Sequence, residues 1–567
     1  MAKAKATAAP VSVRRDFPHT HRFTIIAQDP SIRVNGRILT TEIEVPAEEL
    51  APGPCGYRVN VIDYDASTGV LYSPAVHKLR ADGRVHDPFA EKSDGHLTGN
   101  PHFHAQNAYA IVMKTLARFE FALGRRIPWG SSGHQLHVAP HAFADSNAFY
   151  SKEDRGLFFG YFADQRGQPV FTCLSHDIVA HETTHALLDG LRGRYMEPSS
   201  PEQAAFHEGF ADIVALLSVF SLRDVVAVLL TPQASDDGKS IAIKHLTAGA
   251  LKSSVLFGLA EEMGQALSAV RGEALRRSVK LSPGRARSMV EEHDLGEVLV
   301  AAMLNAFLAI WLSRLAQLGT TRKGMKSLNL VIEEGARVSD HLLTMAIRAL
   351  DYCPPTDINF ADFLSAMLTV DHEVVPDDSK YGYRDTLLAS FRAYGIRPPS
   401  SADKGGVWQH CEGELQYGRT HFDSMLRDKE EIFRFLWENR TALAITEKGY
   451  VEVQTVCPSH RIGPDGFILR ETIAEYVEIL TLRADELKKL GIVKPKDMPD
   501  WRRIRLFGGG ALVFDEYGRL KYQIRNRIEN AERQTKRLRY LWNNGFFDAP
   551  PDEKGHFAKL HRARAGA

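Results

Sequence analysis

Cysteine is scarce in this chain. Its five residues in 567 (Cys55, Cys173, Cys353, Cys411 and Cys457) are odd in number and have no metal-like spacing. That excludes a disulfide-framed secreted fold and points to reduced thiols. The opening residues, MAKAKATAAPVSVRRDF, lack the continuous apolar core of a secretory signal. No stretch reaches the roughly eighteen uninterrupted apolar residues of a membrane span. Net charge is missing as well, with 70 basic side chains against 70 acidic ones, so no global field draws the protein to nucleic acid or to a membrane. The basic stretch from Arg525 to Arg539 reads as a solvated helical face. These absences predict a large cytoplasmic protein of two to four domains, and its 44% apolar content is ample for the cores it must bury.

What the chain does have is His181-Glu182-Thr183-Thr184-His185. The surrounding residues, SHDIVAHETTHALLDGL from Ser175 to Leu191, place apolar side chains at helical spacing. On a helix, His181 and His185 share one face one turn apart, so both imidazoles can reach a single Zn²⁺. Glu182 then lies beside the open coordination position, where a carboxylate can take a proton from a metal-activated water. A second helix follows a Pro/Ser loop and carries His207-Glu208-Gly209-Phe210-Ala211-Asp212. A catalytic zinc wants three protein ligands and an open position, and two His with one Glu is a standard set. Glu208 fits the third ligand. Asp212, four residues later on the same face, fits the carboxylate that fixes the tautomer of His181.

These motifs resemble the thermolysin-like gluzincin metallopeptidases. DIVAHETTHALLDGL is similar to that family's active-site helix, and HEGFAD to its ligand Glu with an orienting Asp. Asn147-Ala148-Phe149-Tyr150, followed by GLFFGYF, resembles the edge strand that pairs with extended peptide substrate. The helix from about His102 to Leu123 and the segment Tyr383 to Ile396 extend the resemblance to roughly residues 95 to 397. The resemblance implies one Zn²⁺ per chain on His181, His185 and Glu208, with Glu182 as general base and substrate along Asn147 and Ala148. Three departures stand out. The spacing from His185 to Glu208 is longer than the family's. The stretch LGEVLVAAMLNAF puts Gly296 or Val298 where the family carries its intermediate-stabilising His, leaving His293, a turn earlier, and Tyr195 as the candidate donors. The acidic clusters of the calcium-binding relatives are missing, so no structural calcium is expected.

Pattern and resemblance together predict an α+β protein. A disordered N-terminus (1–20) precedes a small β-rich domain (21–95), read from RFTIIAQ, GRILTTEIEV and YRVNVIDYD. A thermolysin-like two-lobe catalytic unit follows, with an α/β zinc lobe (96–230) and a helical lobe (231–397) whose helical patterns lie near 246–275, 291–317 and 325–351. An α+β domain (407–567) without a recognisable role closes the chain, with strand-turn-strand at Ile504 to Ile524. His102, His104, His134, His137 and His141 form a loose cluster whose spacing defines no second metal site, and they read as structural. The expected activity is hydrolysis of peptide or protein substrate. The alternatives are a catalytically impaired zinc scaffold or binding module, and a zinc aminopeptidase or amidase. Nothing in the sequence fixes the oligomeric state.

Overall fold

Segments rich in β-branched and aromatic residues pair early in the chain. In the computed structural model, which describes residues 18–130, 133–164, 166–253, 280–286, 292–321 and 323–547, β1 (Thr20–Ile26) and β2 (Thr40–Pro46) form an antiparallel ribbon with Phe23 opposite Ile43. β3 (Val59–Val61) follows. Helix α1 (Pro101–Leu123) starts where the Asn100 side chain accepts the His102 N–H and Pro101 presets the first turn, and it ends at Gly124, left-handed at φ 66°. No side chain would fit at Gly124, because a Cβ there would lie 2.3 Å from the His460 carbonyl oxygen.

Next come β4 (Leu136–Phe143), β5 (Ala148–Ser151), β6 (Gly156–Ala163) and β7 (Pro169–Phe171). They join β3 in one mixed sheet of order β7-β6-β4-β3, with β5 antiparallel along the first half of β6. The β3–β4 and β4–β6 pairs are parallel. The segment 21–95 therefore supplies a strand to the sheet built from residues 136–171. It also shares the core around that sheet: Phe23, Ile25, Val45 and Val59 belong to the same buried cluster as Ile111, Leu157 and Val179. A lone two-stranded ribbon is only marginally stable in water.

Helices dominate the middle of the chain: α2 (His176–Leu191), α3 (Pro201–Phe220), α4 (Glu292–Ala316), α5 (Leu328–Ala349), α6 (Phe360–Val374) and α7 (Tyr383–Ala393). The helical pattern expected at 246–275 lies mostly outside the described residues. Within α4, Leu295–Ala316 is long and apolar enough to cross a membrane, yet 78% of its most apolar stretch is buried inside the protein. Such a helix, apolar all round, is what the centre of a large helical core requires.

After α8 (Lys429–Glu438), a four-stranded antiparallel sheet runs β8 (Tyr450–Ile462), β9 (Ile468–Arg483), β10 (Arg503–Phe514) and β11 (Leu520–Asn526), followed by α9 (Ala531–Asn543). This sheet docks on the preceding unit: Leu469, Ile473, Val513, Tyr522 and Ile524 join the main core, while smaller cores lie under α8 and α9. The architecture is mixed α+β.

Candidate metal centre

Helix α2 is buried almost all round, including His176, Asp177, His181, Glu182, Thr183, Thr184, His185 and Asp189. A buried helix must find partners for its polar groups. Thr183 and Thr184 do so locally, donating to the Val179 and Ala180 carbonyls at 2.6 and 2.7 Å. His181 and His185 instead converge, with their Nε2 atoms 2.9 Å apart and their rings nearly perpendicular at 88°. Glu208, carried in by α3, completes a triangle. Its Oε2 lies 3.7 Å from His181 Nε2 and its Oε1 3.6 Å from His185 Nε2.

The protonation of His181 follows from its outer partner. Nδ1 lies 2.8 Å from Asp212 Oδ1 and donates to that carboxylate, which leaves the Nε2 lone pair facing His185 and Glu208. Two imidazole nitrogens and a carboxylate oxygen within 4.8 Å of one another could hold a metal ion, and all three side chains are buried. The size also fits. Ligands at about 2.0–2.1 Å from a tetrahedral zinc stand about 3.3 Å apart; the two Nε2 atoms are 2.9 Å apart, and His181 and His185 lie 3.7 and 3.6 Å from different oxygens of Glu208.

Glu182 sits outside the triangle, fully buried, and its Oε2 accepts the backbone N–H of Tyr150 at 3.1 Å. Tyr150 lies on β5, which pairs only with β6 among the described strands. The Tyr150 hydroxyl and Lys152 Nζ donate to Asp189 at 2.8 and 2.7 Å, which clamps β5 against α2. Asn147 and Ala148 open this strand. The Asn147 side chain accepts the Ala148 N–H, and its carbonyl accepts the Gly160 N–H at 2.8 Å. Glycine is required at 160, since a Cβ there would stand 2.2 Å from the Asp145 carbonyl oxygen.

The expected oxyanion donors fare differently. Tyr195 is fully buried and donates its hydroxyl proton to the Pro354 carbonyl at 2.6 Å, with its ring edge-on to Phe206. Burial, with Cys353 nearby, also raises its pKa well above the usual tyrosine value. Its geometry is that of a packing residue tying the turn after α2 to residue 354, and it does not join the triangle. The His293 side chain lies outside the described residues. Gly296 stands where α3 and α4 cross: a Cβ on Gly209 would lie 3.0 Å from the Gly296 oxygen, and one on Gly296 would lie 3.2 Å from the Ala205 oxygen. A larger residue at 296 would push apart the two helices that place Glu208.

Two features were missed in the sequence. His207 is fully buried and stacks on His185, ring centroids 4.7 Å apart and planes 11° apart. The signal for it was its place beside Glu208 on the same helix. The second is the meeting of Cys173 with His104 and His141, two histidines that the sequence reads as structural with no second metal site; the ligand atoms of the three all lie within 4.8 Å of one another. No family model matches the chain, and no curated protein matches it.

Proposed function

We propose that this protein is a zinc-dependent peptidase of the thermolysin-like gluzincin type, with its two-lobe catalytic unit formed around α2 and α3. One observation carries the reading: Glu182, next to His181 on the helix that gives two members of the His181–His185–Glu208 triangle, holds its carboxylate on the backbone N–H of an edge strand. A metal ion, a base and a peptide-pairing surface are what peptide hydrolysis needs in one place.

His181, His185 and Glu208 would hold the zinc, which would supply Lewis acidity to a peptide carbonyl and to water. Asp212 keeps the His181 proton on Nδ1 and so keeps Nε2 available as a ligand. An extended substrate adds to the edge of β5, its backbone aligned by main-chain hydrogen bonds. Glu182 accepts the proton of the attacking water at a carboxylate oxygen and passes it to the departing amine. The Tyr150 N–H holds that carboxylate in place.

Glu182→Gln keeps the shape and removes the base. Zinc content is expected to stay at the wild-type level while cleavage of a blocked, unfolded polypeptide falls by about 10²–10⁴-fold, the usual contribution of a general base. Undiminished turnover would remove Glu182 from the reaction.

The commitment of Tyr195 to Pro354 and the glycine at 296 favour a second reading, a metal-bound module with impaired catalysis. Under that reading the wild-type protein holds zinc yet cleaves no peptide.

A further inference from the structure

The group formed by His104, His141 and Cys173 repeats the arrangement of the first centre in a different part of the fold. His104 lies on α1, His141 on β4, and Cys173 in the short turn that leads into α2. All three are buried, Cys173 completely. His104 Nδ1 and His141 Nε2 face each other at 2.7 Å, as the two Nε2 atoms do at His181 and His185.

The outer nitrogens decide what lies between them. His104 Nε2 is 2.9 Å from the Thr98 carbonyl oxygen, which only accepts, so Nε2 carries the proton and Nδ1 presents a lone pair. His141 Nδ1 is 2.7 Å from Asp63 Oδ2, while the other oxygen of Asp63 accepts the His141 backbone N–H at 3.0 Å. That is the carboxylate–histidine pairing that turns the far nitrogen towards a metal. Two inward lone pairs at this distance repel unless a cation lies between them. A proton would serve the two nitrogens and give the sulfur no part, whereas a metal ion uses all three donors.

We propose that His104 Nδ1, His141 Nε2 and Cys173 Sγ hold a second zinc ion. One thiolate with two imidazoles is a borderline-soft set suited to Zn²⁺. Binding deprotonates Cys173 and releases that proton to solvent. The dication, the thiolate and the Asp63 carboxylate then sum to zero charge in a pocket walled by Phe171 and Tyr72, whose rings stand 4.6 Å from His104 and 4.9 Å from His141. The ion joins the Asp63 loop, α1, β4 and the root of α2, four segments far apart in sequence. It thereby anchors the start of the helix that carries His181.

Metal counting and spectroscopy on the full-length protein test this independently of any peptidase activity. Wild type is expected to hold two zinc ions per chain. His181→Ala/His185→Ala and Cys173→Ser should each hold one. Replacing zinc with Co²⁺ should give the near-ultraviolet thiolate-to-cobalt charge-transfer band in wild type and in His181→Ala/His185→Ala, and no band in Cys173→Ser. Should Cys173→Ser fail to fold, X-ray absorption on the zinc of His181→Ala/His185→Ala decides, with one sulfur at about 2.3 Å and two imidazole nitrogens expected. A single ion per wild-type chain without a thiolate band, or a zinc edge without sulfur, would overturn the proposal.

Discussion

Asp212 touches the proposed metal only through His181, and its value lies in a tautomer. Its carboxylate accepts the Nδ1 proton at 2.8 Å while its own side chain is about one-third exposed, so replacing it removes orientation without opening a cavity. Asp212→Ala is expected to weaken zinc binding by about 10–100-fold, measured by competition with a chromophoric chelator, with the melting temperature of the metal-free protein unchanged. An equal loss of stability in the metal-free protein would make Asp212 an ordinary packing residue. The first centre was legible in the sequence because helical periodicity alone brings His181, His185 and Glu182 together. Glu208 and Asp212 repeat the four-residue spacing on the next helix. Tyr195 was not legible, since its hydroxyl is claimed by Pro354, 159 positions away. The second histidine pair escaped for the same reason: His104 and His141 lie 37 positions apart on a helix and a strand, and no local period encodes that meeting.

At the scale of elements, α3 must begin at the right residue for Glu208 to reach α2. The Ser200 side chain caps it by accepting the Gln203 N–H, with Pro201 in the first turn. Ser200→Ala removes that acceptor and is expected to cost about 1 kcal/mol of unfolding free energy. Urea titration should show it as a lower midpoint with an unchanged slope, and an unaltered midpoint would mean the loop fixes α3 by itself. The sequence showed such helices and the turn joining β10 to β11, where Gly518 takes φ 78°. It did not reveal β8 and β9, which span 13 and 16 residues. Much of β9 is buried on both faces, from Glu471 through Glu478, and a strand covered on both sides loses the apolar/polar alternation that betrays a half-exposed one.

On the scale of the whole molecule, the C-terminal sheet is joined to the helical unit by buried charge as well as by apolar contact. Arg125, beyond the end of α1, grips both oxygens of Asp351 at 2.6 and 2.7 Å. Arg461 on β8 pairs with Asp351 and with Glu471, and Lys521 on β11 lies 2.9 Å from Glu471. Burial alone would raise the Asp351 carboxyl, but Arg125 and then Arg461 outweigh it and hold the group well below the ordinary carboxylate range. A depressed acid contributes stability that is fully present above its unfolded pKa, about 3.9, and is lost as pH falls towards the folded value. Acid titration should therefore loosen the sheet only below about pH 4. Asp351→Asn leaves the Arg125 guanidinium without a carboxylate and Arg461 with Glu471 alone, and should lower stability by about 3–5 kcal/mol at neutral pH, while flattening the acid limb of the stability profile. A variant as stable as wild type would show that apolar contact alone holds the sheet in place.

The central claim is that metal on His181, His185 and Glu208 drives peptide hydrolysis. It is tested most directly by cleavage of a blocked, unfolded polypeptide by wild-type protein stripped of metal with a chelator and then reloaded with Zn²⁺. Internal cleavage by the native protein is expected, with its loss on stripping and its return on reloading in wild type but not in His181→Ala/His185→Ala. Full cleavage by the stripped protein, or none by protein carrying its zinc, would contradict it.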